Sequence, residues 1–326
     1  MSSPTLSKSY TITHLALVTL SAFMLGCFAP KAINTLQTLV QPQVSVNSAT
    51  ADSSTKPSTT PVPPPPPSAS ELAKANALFK STDWSAQQPQ GIKELLTAMP
   101  HSAELRTAVL QRYREEPAGK VKDNLKQFLM VQALPDVITT ATAWTKKSDN
   151  AAARRDGYQL LTPAGGHPDV HPLIKQAILS ETDPAALGSA IWALSTPNVA
   201  DPAEVQVLVP RLHTLTQHTN DDIRAASIQK LADWDRAKQY LLQDVQRLLS
   251  DPVEDVRIAA IGATSIASLT SDSIKQQLFT LLSDIKQSEE LRGIVHMQLP
   301  RFGLSTAEYA AYQAAQKELF SENKVK

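Results

Sequence analysis

"DPVEDVRIAA", Asp251 to Ala260, crowds Asp251, Glu254, Asp255 and Arg257 together and then turns apolar. Taken alone, the cluster has the composition of an active site. Placed in the whole chain, it is one copy of a recurring phrase. With the arginine in register, "AELRTAV" surrounds Arg106, "DDIRAAS" surrounds Arg224 and "EELRGIV" surrounds Arg292. Two degenerate copies lie between the first two: "AAARRDGYQLL" puts Arg154 in register, and "DPAALGSAIWALS" puts Gly188 there. From Arg154 onward the copies are 33 to 36 residues apart, a period that marks a stacked helical array.

Each copy has the same anatomy. A first amphipathic helix, as in "AKQYLLQDVQRLLS" or "SIKQQLFTLLSDIK", leads into a polar turn, and a second helix then opens on the acidic-apolar-Arg phrase. In the second helix Val256, Ala259, Ala260 and Ala263 fall at i, i+3, i+4 and i+7, one helical face. Their small volume allows close approach to a partner helix. Only "EVQVLVP", 204–210, hints at period-two alternation, and the following "RLHTLTQH" restores the helical pattern. The expectation is an all-α fold.

The Asp251-Pro252 turn, followed by Val256, Arg257 and the paired Ala259 and Ala260, resembles the HEAT repeat of α-solenoid proteins. The resemblance covers about 95–299. It implies an α-solenoid of five to six helix pairs across 71–300, with an inter-repeat bridge formed by an Asp six residues before the Arg. On that reading Asp251, Pro252, Asp255, Val256, Arg257, Arg224, Arg292 and Arg106 are structural signature residues. Three copies depart from the pattern, because His218, Lys286 and Pro100 occupy the Asp place before Arg224, Arg292 and Arg106. One helix pair cannot bury its apolar face alone, so terminal units must be atypical. "STAEYAAYQAAQKELF", after the Pro300–Gly303 break, fits a C-terminal capping helix, with 301–326 as cap and tail.

The N-terminal third differs in kind. After a short head, 1–9, "YTITHLALVTLSAFMLGCFA" at 10–29 carries no formal charge apart from the titratable His14. Twenty helical residues span about 30 Å, the thickness of a bilayer core. The stretch reads as a transmembrane signal anchor, with two alternatives: a signal peptide, or a lipobox "MLGC" lipidated at Cys27. Residues 30–40 form a juxtamembrane segment. Residues 41–70, with a run of prolines from Pro63 to Pro67, have too little apolar surface to offset ordering and read as a disordered Pro/Ser/Thr-rich linker. The expected location is a bacterial inner membrane, single-pass, with the body in the periplasm; a lipid-anchored envelope protein is the alternative.

Composition narrows the chemistry. Thirty-one basic residues balance 31 acidic ones, so there is no basic footprint for nucleic acid. A lone cysteine excludes an intramolecular disulfide framework. "GGHPDVHP" gathers the metal-ligand types His167, Asp169 and His171, yet Pro168 and Pro172 interrupt any helix that would align them. It reads as an inter-helix loop with Asp169 as a helix cap. His213 and His218 read as surface residues, and a joint site of His171, His213 and His218 would require adjacent repeats to bring them together. The acid pairs Asp221/Asp222, Glu254/Asp255 and Glu289/Glu290 share one repeat position, the first turn of the second helix, where negative charge complements the helix dipole. Trp144, Trp192, Trp234 and Tyr158 read as core.

The expectation is therefore a protein without catalytic, cofactor or metal residues: a membrane-tethered scaffold or adaptor binding a protein partner on exposed positions of the second helices. A HEAT-like enzyme of lyase or glycosylase type and an envelope structural lipoprotein are the alternatives.

Overall fold

A computed structural model describes residues 95–197 and 201–320. The head, the apolar stretch with Cys27, the linker, residues 71–94 and the tail from 321 lie outside the described residues. The described residues are helical throughout, with no strand among them. No helix among them is long and apolar enough to cross a membrane.

The chain divides into two units, 1–132 and 133–326. In the first, α1 (Ala103–Glu115) packs on α2 (Lys120–Met130). Ser102 caps α1 by accepting the Leu105 N–H at 3.1 Å. Leu105, Val109 and Tyr113 recur every fourth residue along α1 and are buried, as are Leu125, Phe128 and Leu129 on α2. Arg106 donates from Nη1 to the carbonyls of Met99 and Pro100 at 2.7 and 3.1 Å. In sequence, α2 is an additional helix between the Arg106 and Arg154 copies, which accounts for the wider interval there.

Among its described residues the second unit holds five helix pairs and a closing helix. The pairs are α3 (Pro135–Thr145) with α4 (Ala151–Leu161), α5 (His171–Ser180) with α6 (Pro184–Ala193), α7 (Pro202–Leu215) with α8 (Asp221–Trp234), α9 (Leu241–Leu248) with α10 (Glu254–Ile266), and α11 (Asp272–Ser283) with α12 (Glu289–Gln298). Helix α13 (Thr306–Leu319) closes the series against α12. The second helices touch in order, α4 to α6 to α8 to α10 to α12, so the unit is a solenoid-like stack.

Local chemistry places the helix starts. Asn150, Asp183, Asp201, Asn220, Ser271 and Ser288 each accept a backbone N–H from the first turn of the helix they precede. Ser305 and Glu308 form a reciprocal capping box on α13. Each such cap stabilises its helix by about 1 kcal/mol. The three acid pairs do fall in first turns, of α8, α10 and α12.

Small side chains set the inter-helix spacing. On α6 every residue from Ala186 to Ile191 is buried, and on α8 every residue from Ala226 to Ala232, the pattern of helices enclosed on all sides. A Cβ on Gly157 would stand 2.8 Å from the Ala141 carbonyl oxygen, so α4 and α3 meet backbone to backbone. At Gly165 the approach is tighter: a Cβ would stand 2.0 Å from the Ala193 carbonyl oxygen. "EVQVLVP" lies inside α7, Pro210 included. Its alternation gives way to helical burial of Leu208, Val209, Leu212 and Leu215.

Candidate functional site

Between consecutive pairs the structure repeats one device. Arg224, on α8, donates from Nε and Nη2 to the two carboxylate oxygens of Asp251 at 2.9 and 2.8 Å. Its remaining Nη1 reaches back to the carbonyls of His218 and Thr219, in the turn before its own helix. Both side chains are largely buried, 12% and 7% exposed. Burial would raise the Asp251 carboxyl, but the Arg224 hydrogen bonds and the Val253 N–H hold it below the usual carboxylate range. The clasp joins the α7/α8 pair to the α9/α10 pair.

The same geometry recurs with changed partners. Arg154, on α4, grips Glu181 at 2.8 and 2.9 Å while Nη1 binds the carbonyls of Lys147 and Ser148. Arg154, with help from the N–H groups of Asp183 and Thr182, holds the Glu181 carboxyl below its ordinary value. Arg257 binds the carbonyls of Asp251 and Pro252 and reaches forward to the Gln287 Oε1 at 3.0 Å, an amide in place of a carboxylate. Arg292 reaches Glu318 on α13 at 2.9 and 3.0 Å, and the Leu282 carbonyl with its Nε. Val256 is fully buried, and Asp255 and Pro252 are exposed at the helix entry. Glu181, Gln287 and Glu318 are partners that the signature does not contain, because the acceptor moves by a residue or more around the Asp place.

At the Gly188 position the arginine is missing. There α8 and the turn after it supply three donors instead: Lys230 Nζ and Trp234 Nε1 from the helix and Arg236 Nη2 from the turn bind the carbonyls of Leu194, Ser195 and Pro197, just past the end of α6. Lys230 is 6% exposed, and burial pushes its ammonium down to about 8.

A second set of contacts, with no counterpart in the repeat signature, links the first helices. Glu204 on α7 accepts from Lys175 on α5 at 2.8 Å and pairs with His171 at 3.0 Å. Asp244 on α9, almost wholly buried, pairs with His213 on α7 at 2.6 Å and with Arg247 at 2.9 Å. Gln246 bonds Ser273, Gln277 donates to the Gln246 carbonyl, and Lys275 pairs with Glu308 on α13. Opposite or complementary groups about one repeat apart were the available signal.

The histidines are distributed among these contacts. His171 also stacks on Trp234 at 6.2 Å, and His213 on Tyr240 at 4.4 Å. His218 accepts the Asn220 N–H. His167 and Asp169 are exposed neighbours, and α5 starts at His171 with Pro172 in its first turn and no cap from Asp169. Among the described residues, no group of three or more His, Cys, Asp and Glu is placed to hold a metal ion. Tyr158 and Trp234 are core, whereas Trp144 and Trp192 are half-buried.

One concave feature stands beside the first clasp. A cavity of about 260 Å³ opens between the C-terminal ends of α3 and α5, lined by Lys146, Arg154, Tyr158, Leu173, Ala177 and Glu181 among others. Burial, with the Glu181 charge adding to it, raises the Tyr158 hydroxyl, so it stays protonated. Large apolar side chains are exposed mainly away from the second helices: Leu179 on α5, Val207 on α7 and Leu242 on α9.

What the fold and its joints define is a class: an all-α protein of stacked helix pairs clasped by side chains. No family model and no curated protein matches the chain. Among solved structures, the X-ray structure of YibA from Escherichia coli is similar, at 17% identity and a TM-score of 0.46, over 72% of this chain and 75% of that one.

Proposed function

We propose that the chain is a membrane-tethered scaffold of HEAT type that binds another protein outside the cytoplasm. Residues 10–29 anchor it and residues 41–70 hold the helical body off the bilayer; lipidation at Cys27 is the alternative form of the same tether. The observation that carries the reading is the phasing of apolar residues on the first helices. Val207 and Leu242 are 47% and 38% exposed, and together with the half-buried Leu173 they recur at the interval of the repeat itself. Single exposed apolar residues are ordinary, but a row in phase with a clasped stack offers a partner several contacts held at fixed spacing. The second helices, enclosed on most sides, offer less. Tethering raises the effective concentration of membrane-bound partners around this surface.

The test is site-specific photo-crosslinking in intact membranes. A crosslinker at Val207 and one at Leu242 should trap the same partner, and one at the exposed Ala152 on α4 should not. Equal adducts from all three positions, or none from any, would remove the first-helix surface as the binding face.

A further inference from the structure

His296, in the last turn of α12, is a buried titratable group that none of the clasps uses. It is 5% exposed, and its Nε2 is sealed from solvent with no hydrogen-bond partner, whereas buried polar atoms normally have one. Tyr312 of α13 stacks on the ring, centroids 4.0 Å and planes 11° apart, and Phe320 meets it edge-on at 5.5 Å. A neutral ring with its proton on Nδ1 leaves only a lone pair in the sealed position. A second proton creates an N–H there with nothing to accept it.

The helix that closes over His296 is lightly held. No residue of α13 is buried. Besides the ring contacts, Glu318 binds Arg292 at 2.9 and 3.0 Å and Glu308 pairs with Lys275 at 3.1 Å, and the Glu318 side chain is half exposed. Terminal segments with so little buried surface open more readily than the stack beneath them.

We propose that α13 is an acid-released cap: a proton on His296 ejects Tyr312 and detaches α13 from α12. The charges around the ring do not offset that proton. On α12 itself, Arg292 lies one turn earlier and is a like charge, while Glu289 and Glu290 sit in the first turn at the far end. On α13, Glu318 is committed to Arg292 and Glu308 to Lys275, and Lys317 is exposed. From α11, Lys275 also pairs with Asp272, and Asp284 just past its end accepts from Gln287. From α10, Glu254 is held by Ser288 and Arg257, and Asp255 is exposed. Arg301, in the turn after α12, binds Gln298 and the Ser265 carbonyl. The Tyr312 face and the C-terminal end of α12 each favour a cation weakly, but neither supplies an acceptor at Nε2. Burial holds the imidazole below the ordinary histidine value.

Once α13 leaves, the ring regains water and an ordinary value near 6.5. The open form then binds the proton more tightly than the capped one. Docking of α13 therefore weakens as pH falls below about 6.5 and levels off below the capped value. Opening also parts Lys275 and Arg292 from their carboxylates, so the uncovered end of the stack is cationic. The cap requires neither the tether nor a partner and stands apart from the scaffold reading.

The test follows amide hydrogen exchange of 306–319 by mass spectrometry, on the full-length chain in detergent micelles, from about pH 7.5 to about pH 5. Rates are corrected for their intrinsic pH dependence and referred to a peptide from α8. Protection of α13 should fall at least about fivefold, and no faster than about tenfold per pH unit, as one coupled proton allows. His296→Phe, which keeps an aromatic ring under Tyr312, should hold that protection constant. In the parent chain, NMR of labelled histidine should show His296 titrating below about 6.5, its signal assigned by its loss in His296→Phe. Tyr312→Ala, which opens the cover, should return His296 to the ordinary value. Constant α13 protection in the parent chain, an equal fall in His296→Phe, or a His296 that titrates at or above about 6.5 in the parent overturns the cap.

Discussion

Arg224 and Asp251 lie on successive helix pairs and meet through two parallel hydrogen bonds, while the third arm of the same guanidinium holds the turn before its own helix. One side chain thus closes a turn and a joint together. The planar fork of arginine is what permits both, and lysine could not substitute.

Removing either half of this clasp should be costly. Arg224→Met leaves a largely buried Asp251 carboxylate with only a backbone donor, and about 3 kcal/mol of stability should be lost in urea unfolding. The Arg224→Met/Asp251→Asn double variant should lose clearly less than the sum of the two singles, because each single strands its partner. Additive losses would show the pair to be uncoupled.

Acid should loosen the same joints. Arg154 holds Glu181 below its ordinary value, and the bonds from Arg224 outweigh burial at Asp251. For a carboxylate whose folded value is depressed, the stabilisation is complete above the unfolded value near 4 and disappears as pH falls through the folded one. Stability should therefore drop below about pH 4, and less steeply in Arg154→Met and Arg224→Met, as followed by urea midpoints across pH.

Lys230 has the same sign of dependence in a higher pH window. Its folded value, about 8, lies below that of an unfolded lysine, so the unfolded chain binds more protons between these values. Stability should rise with pH from about 8 to 10, by at most about 3 kcal/mol from this group. Lys230→Met should flatten that rise in chemical denaturation curves.

Two glycines separate backbone fit from backbone freedom. Gly165→Ala pushes a methyl into the Ala193 carbonyl and should cost about 2 kcal/mol or more. Gly293→Ala, inside α12 with open space around its Cβ direction, should stabilise by about 0.5–1 kcal/mol. Thermal melts of the two variants, shifting in opposite directions, check both.

The helical periodicity and the arginine register were legible in the sequence because both are local. Val256, Ala259 and Ala260 advertise a buried helix face, and Arg106, Arg154, Arg224, Arg257 and Arg292 align by simple spacing. The acceptors were harder to read. Glu181, Gln287 and Glu318 sit at different offsets because long side chains reach around small changes in turn length, so a fixed six-residue rule finds only Asp251. The first-helix contacts, such as His213 with Asp244, combine residues with no common motif. The cavity was illegible, since it depends on how far apart the ends of α3 and α5 stand, a distance that no residue encodes alone. The expectation that a partner contacts exposed positions of the second helices rested on the surface that a stacked array presents; the small residues on those helices let them close on one another, as the sequence spacing implied.

The two-way grip of Arg154, Arg224 and Arg257 has a genetic corollary. Because Nη1 of Arg154, Arg224 and Arg257 secures the turn within a copy and the other nitrogens need only some acceptor in whatever follows, Glu181, Asp251 and Gln287 are interchangeable receivers. An in-frame duplication or deletion of one such helix pair would leave each of these arginines with its own turn and a nearby receiver, so chains built this way can change length without redesigning their joints.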